Sequence, residues 1–312
     1  MTKSILTFLL PFLLSSFHPS LLFAQTTIHR DPTILQLVAQ VSADSLKAYV
    51  EKLVSFGTRQ TLSGQQGQRG IAPAREWILN KFQEFGKQAG GRLTATIDTW
   101  TLPPDGRRID KAVDMGNVMA TLKGTDAADD RSFLVSGHMD SRVSDVRYRN
   151  DRYLRGGDHT PFVNRGFAAV RITEMNENFQ HQHQDLRVEN GVDYGDKVEY
   201  MDFEYLRKNT AMNLANLANL AKSPSPPQKV MMDIRSLANT TKPYWQAPKT
   251  GKVKGYYILM RQTHWPFWQK KFFTDKLGAE MPYSKDNYFF AVQAVSEDGN
   301  ESFPVLPKPG MY

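Results

Sequence analysis

The sequence predicts an α/β sandwich with helices on both faces of a sheet, followed by an all-β unit. Three observations predict it. Helical and strand-like periods alternate over the first two thirds of the chain, a Pro-rich stretch at 222–229 breaks the composition, and only strand-like runs follow. With 312 residues, 40% apolar and 23% charged, the chain is long enough for two domains with buried cores.

The first 24 residues stand apart. Lys3 gives a positive start, "ILTFLLPFLLSSF" an apolar centre and Ala24 a small residue for cleavage. That is the pattern of a signal peptide, because Pro11 and the short apolar run suit export better than spanning. No later segment is apolar enough to span a bilayer. The protein is therefore expected to be exported, to a bacterial periplasm, a cell surface or the medium.

Ser42 is placed to cap a helix whose Leu46, Tyr49, Val50, Leu53 and Val54 share one face. A second helix is expected over 68–87, with Ile71, Ala74, Trp77, Ile78, Phe82 and Phe85 at helical spacing, stopped by Gly90-Gly91. Residues 92–100 alternate Leu93, Ala95 and Ile97, and 117–125 alternate Val118, Ala120 and Leu122, as strands do. "SFLVSG" (132–137) and "AAVRITE" (168–174) are short apolar runs of the kind buried central strands have. Asp202 opens a last helix through Tyr205, Leu206, Leu214, Leu217 and Leu220.

"KSPSPPQK" (222–229) reads as a stiff linker. Beyond it "KGYYILMRQT" and "NYFFAVQAVSEDGNES" are strands, the second with Tyr288, Phe290, Val292 and Ala294 on one face and a turn at Asp298-Gly299-Asn300. With Trp245 near its start, 230–312 resembles a fibronectin type III domain, a small β-sandwich that serves as spacer or adhesion module. The expected division is a signal peptide at 1–24, a first domain at 25–222, a linker at 223–229 and the sandwich at 230–312.

Composition excludes several kinds of chemistry. No cysteine is present, so disulfides, thiol catalysis and Cys-held metals are out. The net charge of +7 comes from Lys and Arg scattered without a basic stripe, so no nucleic-acid partner is expected.

Four of the seven histidines, His138, His159, His181 and His183, lie within 46 residues. His138 follows the apolar run 132–137, and open α/β sheets bind ligands at the C-terminal ends of their strands. Asp140, two residues on, is placed to take the second ring N–H of that imidazole, as carboxylates behind metal ligands do. "HQHQD" (181–185) offers a second imidazole. Histidines with carboxylates and no thiols favour zinc. Taken singly, "GGDHTPF" also reads as a turn with Asp158 as a cap, and "GHMDS" alone is a weak signal.

The pieces also occur in a telling order. "FGTR", "RGIAPAREWI", "NVMATLKGT", "SGHMDSR", "LRGGDHTPF", "GFAAVRITE" and "HQHQD" together resemble the two-zinc aminopeptidases, metallopeptidase family twenty-eight, to which the glutaminyl cyclases are related. The likeness runs over 42–222. It implies a three-layer α/β/α sandwich on a mixed sheet, two zinc ions, and removal of N-terminal residues from peptides or proteins. By the same resemblance His138 and His181 are metal ligands, and Asp140 and Asp185 stand behind them. Asp158 and His159 belong to a loop beside the substrate. His183 has no counterpart.

The resemblance also implies residues that are not here. In the family one Asp bridges the two metals, a Glu joins the first and an Asp the second, and a further Glu takes a proton from the metal-bound water. Two cations about 3.5–4 Å apart need those carboxylates to offset their repulsion, and the base must reach that water. They lie between "GHxDS" and "GGDHTPF", where this chain has 16 residues, 142–157, and no Glu occurs between Asp98 and Glu174. An internal deletion near 146/147 is expected, taking with it central strands of the sheet, the ligand carboxylates and the general base. No catalytic residue is therefore assigned. Gln180 stands where some relatives carry a tyrosine that steadies the oxyanion. At most one zinc is expected, on His138, His181 and one of Asp145, Asp151, Asp158, Glu174 or Glu177. The expected function is that of an exported aminopeptidase-like zinc exopeptidase, impaired in this chain. A glutaminyl cyclase-like activity and a non-catalytic peptide-binding or adhesion protein remain as alternatives.

Overall fold

The computed structural model describes residues 30–57, 59, 63, 67–106, 109–138, 156–172, 178–181, 184, 186–235 and 237–310. The expected signal peptide lies outside them. Among the described residues no helix is long and apolar enough to cross a membrane.

Three helices come first. α1 (Pro32–Ala39) has Pro32 in its first turn, and Asp31 caps it by accepting the Thr33 N–H at 2.8 Å. α2 (Ala43–Ser55) starts where the sequence places it, with the Ser42 hydroxyl accepting the Ser45 N–H. α3 (Ile71–Gln88) ends at Gly90-Gly91, whose φ values of 61° and 79° need glycine.

α3 lies on a two-stranded antiparallel sheet of β1 (Leu93–Leu102) and β2 (Val113–Leu122), in register from Leu93 opposite Leu122 to Leu102 opposite Val113. Leu93, Ala95, Ile97 and Leu102 are the half-buried positions of β1, the first three alternating with exposed ones. Helix and strand approach closely at Gly86, where a Cβ would sit 2.7 Å from the Leu93 carbonyl oxygen. Any side chain there would push the layers apart.

The three-layer sandwich on a mixed sheet is not built among the described residues, and two expected strands are corrected. Residues 132–137 have no ladder, and Leu134 and Val135 are 66% and 61% exposed. Of "AAVRITE", 168–172 are likewise outside any strand, with Val170 80% exposed. A central strand needs neighbours for its N–H and C=O groups and a layer on each face. These runs have the side chains of central strands without the neighbours.

A short helix α4 (Thr160–Val163), a hairpin of β3 (Arg187–Glu189) and β4 (Val192–Tyr194), and a 3₁₀ turn (Val198–Tyr200) lead to α5 (Phe203–Lys222). The hairpin turns at Asn190-Gly191, both with φ near 50–80°, the conformation its sequence demands. Asp202 caps α5 by accepting the Tyr205 N–H at 2.9 Å. α5 packs against α1 and α2.

Among the described residues the largest buried core is C-terminal. Sheet β10-β5-β6 comprises β5 (Gln228–Asp233), β6 (Pro243–Gln246) and β10 (Lys308–Gly310), and sheet β8-β7-β9 comprises β7 (Gly255–Gln262), β8 (Lys270–Thr274) and β9 (Tyr288–Val295). One apolar cluster joins them. Val230 and Trp245 from the first sheet meet Ile258, Met260, Phe272, Phe290 and Val292 from the second. Register puts Ile258 opposite Val292 and Met260 opposite Phe290, so each pair faces the same core. Fully burying side chains of this size contributes about 1.5–3 kcal/mol each. The reverse face of β7 buries Tyr257 and Leu259 with Ala291 and Val295, and the Lys271 ammonium covers the Tyr257 ring at 3.9 Å.

The two halves are tied together. The Asp31 side chain, almost wholly buried, accepts a hydrogen bond from Asn300 at 2.9 Å and pairs with Lys222 at 2.7 Å. Asn219 donates to the Glu301 carbonyl and accepts from the Glu301 N–H, both at 3.0 Å. In the Pro-rich stretch, Ser223 and Ser225 are buried, and the Arg131 guanidinium binds the carbonyls of Ser223 and Pro224 at 2.7 and 3.0 Å. Burial alone would raise the Asp31 pKa, but hydrogen bonds from Lys222, Asn300 and the Thr33 N–H outweigh it and hold the carboxyl well below the usual range.

That depression fixes the sign of the pH response. The stability Asp31 supplies is complete above the unfolded carboxyl pKa of about 3.9 and is lost as pH falls below it. Replacing Asp31 by Ala removes a cap and leaves buried donors unpaired, so chemical denaturation at pH 7 should show a loss of about 3 kcal/mol. The variant should also lack the Asp31 share of the acid-induced loss below pH 4. Equal stability of the two proteins at pH 7 would show that the junction does not hold the halves together.

Candidate metal centre

The residues on the two sides of the short segment 142–157 are brought together in part. Asp158 reaches back to 132–138: its Oδ2 accepts from the Ser136 hydroxyl at 2.7 Å, and its Oδ1 lies 3.3 Å from His138 Nε2. Both ionisable side chains are more than half exposed. The Ser136 hydrogen bond, with the nearby His138 and Arg171, holds the Asp158 carboxyl below its ordinary range against a small opposing effect of burial.

"GGDHTPF" folds as a turn entering α4. The Thr160 N–H donates to the Gly157 carbonyl at 2.9 Å, and the Gly157 N–H donates back to the Thr160 hydroxyl at 3.3 Å. Asp158 does not cap α4; His159 takes the cap position, without a side-chain cap bond. His159 Nδ1 is buried with no hydrogen-bond partner among the described residues. The Arg171 guanidinium donates to the Gly156 carbonyl at 2.5 Å and closes one side of the turn.

His181 sits elsewhere in the contact pattern. Its ring lies flat on Tyr200, with centroids 3.8 Å apart and planes parallel. Its Nδ1 is 3.3 Å from the Asn178 side-chain nitrogen. Tyr200 is held in turn: its hydroxyl donates to Asp193 Oδ2 at 2.5 Å, as Lys197 does at 2.5 Å. Hydrogen bonds from Lys197 and then Tyr200 lower the Asp193 pKa, and the bond to Asp193 raises that of Tyr200. The Gly195 N–H donates to the Gln180 carbonyl at 3.0 Å, pinning the His181 turn to the end of the β3–β4 hairpin. Tyr200 and Asn178 were not marked in the sequence, because their spacing from His181 follows no helix or strand period. The Asn190-Gly191 turn that carries Asp193 into place has a local sequence signal, though no hairpin was expected there.

Asp140, His183, Asp185, Asp145, Asp151, Glu174 and Glu177 lie outside the described residues. Within them, no three His, Asp or Glu side chains gather where they could hold a metal ion. His138 faces Asp158 and His181 faces Tyr200 and Asn178, so the described residues do not fit the two-zinc centre that the sequence resemblance implies. If the native chain holds no metal, none adds to its stability. Chelation with EDTA should therefore leave the thermal midpoint of the purified protein unchanged, as followed by circular dichroism. A fall of several degrees would reveal a metal bound to the native state.

No protein-family model matches the chain. The chain is 28% identical to a probable zinc metalloprotease of Leptosphaeria maculans, over 89% of this chain and 97% of that protein. It is 26% identical to a probable zinc metalloprotease of Pyrenophora tritici-repentis, over 90% and 88%, and 27% identical to one of Pyricularia oryzae, over 90% and 85%. These likenesses support a metallopeptidase family with zinc as its metal. The first runs over 420 aligned positions, yet 89% of 312 residues is about 278, so about 140 positions face no residue of this chain. Among solved structures, a Fn3-like protein from Clostridium thermocellum matches 28% of this chain and 96% of its own at 18% identity and a TM-score of 0.23. A myokine structure matches 28% and 100% at 23% identity and a TM-score of 0.22. Both scores are too low to assign a fold.

Proposed function

We propose that this chain descends from exported zinc exopeptidases of the aminopeptidase type and has lost most or all of their hydrolytic capacity. The observation that carries the proposal is the shortfall of about 140 positions against a relative of which the alignment spans 97%. The motif order supports placing that shortfall near 146/147, between "GHMDS" and "GGDHTPF". The exposed apolar runs at 132–137 and 167–172 support it as well, since they border the same gap. A removed segment there takes with it the metal-bridging carboxylate, the remaining ligands and the glutamate base, and no Glu between Asp98 and Glu174 replaces them. Without a base beside a held water, peptide hydrolysis loses its nucleophile.

In this reading residues 1–24 direct export, 25–222 are the remnant peptidase domain, 223–229 connect, and 230–312 form a fibronectin type III-like module for spacing or attachment. Its partners are peptide or protein N-termini. A glutaminyl cyclase-like ancestry uses the same motifs. A second reading, a non-catalytic peptide-binding or adhesion protein, is favoured by the largest buried core, which lies in the C-terminal sheets and needs no metal.

The purified chain is expected to release no N-terminal residue from a panel of peptide amides above the rate in buffer, with or without added zinc. Chelator-sensitive turnover at a rate ordinary for enzymes, about 1–10³ per second, would contradict the loss of function. Binding of peptides that persists in EDTA would favour the second reading.

A further inference from the structure

We infer that Asn178 holds His181 as the tautomer carrying its proton on Nε2, so that this imidazole is a hydrogen-bond donor and not a metal ligand. The inference rests on the reading above in that His181 matches a zinc ligand of the active family. It concerns whether the surviving histidine is still in a ligating form.

The two ends of the Asn178 amide are told apart by their partners. Asn178 Oδ1 accepts the Gln180 N–H at 2.9 Å. That fixes the oxygen on the backbone side and leaves Nδ2, a donor only, directed at His181 Nδ1 at 3.3 Å. Two donors facing each other at that distance repel, so Nδ1 must present its lone pair. A neutral imidazole then carries its one proton on Nε2.

The ring is not at liberty to turn away. Tyr200 lies against it face to face at 3.8 Å, and the Asp193 carboxylate holds the Tyr200 hydroxyl. The backbone turn is closed by the His181 N–H donating to the Asn178 carbonyl at 3.1 Å, which keeps Asn178 and His181 on one loop. Turning the ring over would exchange Nδ1 for a carbon and lose the amide bond.

Ligation through Nδ1 needs the lone pair that Asn178 Nδ2 engages, and ligation through Nε2 needs the opposite tautomer. A histidine that binds through Nε2 donates its Nδ1–H to a carboxylate or a carbonyl, which fixes the tautomer and raises ligand basicity. Here Nδ1 is engaged by a donor and Nε2 bears the proton, so neither nitrogen offers a free lone pair. The reverse state is one substitution away: in Asn178→Asp a carboxylate replaces the donor, accepts from Nδ1–H and frees Nε2.

The test uses the full chain labelled with ¹⁵N-histidine, at a pH where the ring is neutral, with long-range ¹H–¹⁵N spectra. The His181 signals are identified by their loss in His181→Gln. Wild-type His181 should show the Nε2–H pattern, unmoved by equimolar zinc chloride. Asn178→Asp should move it to the Nδ1–H pattern and make it shift with zinc, and Asn178→Ala should give a mixture. A wild-type Nδ1–H pattern, a zinc-induced shift of wild-type His181, or an unchanged pattern in Asn178→Asp would each overturn the inference. The readout is independent of turnover. Peptidase activity alongside the Nε2–H pattern would contradict the proposed loss of function and leave the tautomer assignment standing.

Discussion

A β-strand is stable only when neighbours take its backbone hydrogen bonds and other layers take its side chains, and that requirement divides this molecule. The C-terminal sheets meet it. β7 has a partner on each side, buries both faces, and shares a core with the facing sheet through Trp245, Ile258 and Phe290. Among the described residues the N-terminal part meets it where β1 and β2 pair and rest on α3. The runs around Leu134 and Val170 do not meet it and stand open to solvent. A chemical site at the end of a strand inherits that condition. His138 follows such a run and, outside any sheet, meets the Asp158 carboxylate, which the Ser136 hydroxyl holds in turn.

Polar contacts do some of the work that layers do elsewhere. Asp31, Asn300 and Lys222 form a buried group where the start of α1, the end of α5 and the last turn of the second sheet meet. Burying one carboxylate there costs free energy, which the charge-assisted hydrogen bonds offset. The histidine turn is held in the same manner, by Tyr200 stacking and by the Asp193–Lys197 pair. Each group is local and satisfied, and none supplies the cluster of carboxylates that a metal pair requires.

Much of the fold was legible where the cause is local. Ser42 and Asp202 announce helix starts because an N-cap side chain serves its own first turn. Gly90-Gly91 announces an end for the converse reason. Asp31-Pro32 and Asn190-Gly191 carry equally local signals, yet neither α1 nor the β3–β4 hairpin was among the expected elements. "SFLVSG" misled because its composition reflects strands it would need beside it, and composition does not say whether they are present. The candidate site was legible as far as His138, Asp158 and His181 could be named. The roles of Asn178 and Tyr200 were not, because a hydrogen bond across three residues and a stack across nineteen leave no periodic trace.

The relatives are probable zinc metalloproteases, and in the proposed reading the motifs that remain here are those that flank the metals. In the proposed reading this chain keeps the frame of such a site, and among the described residues His138 meets Asp158 while His181 meets Tyr200 and Asn178. The most direct measurement is metal content: the purified chain is dialysed against micromolar zinc, and bound metal is quantified by mass spectrometry per mole of protein. The account predicts well under one zinc per chain. One or two tightly held equivalents would contradict it.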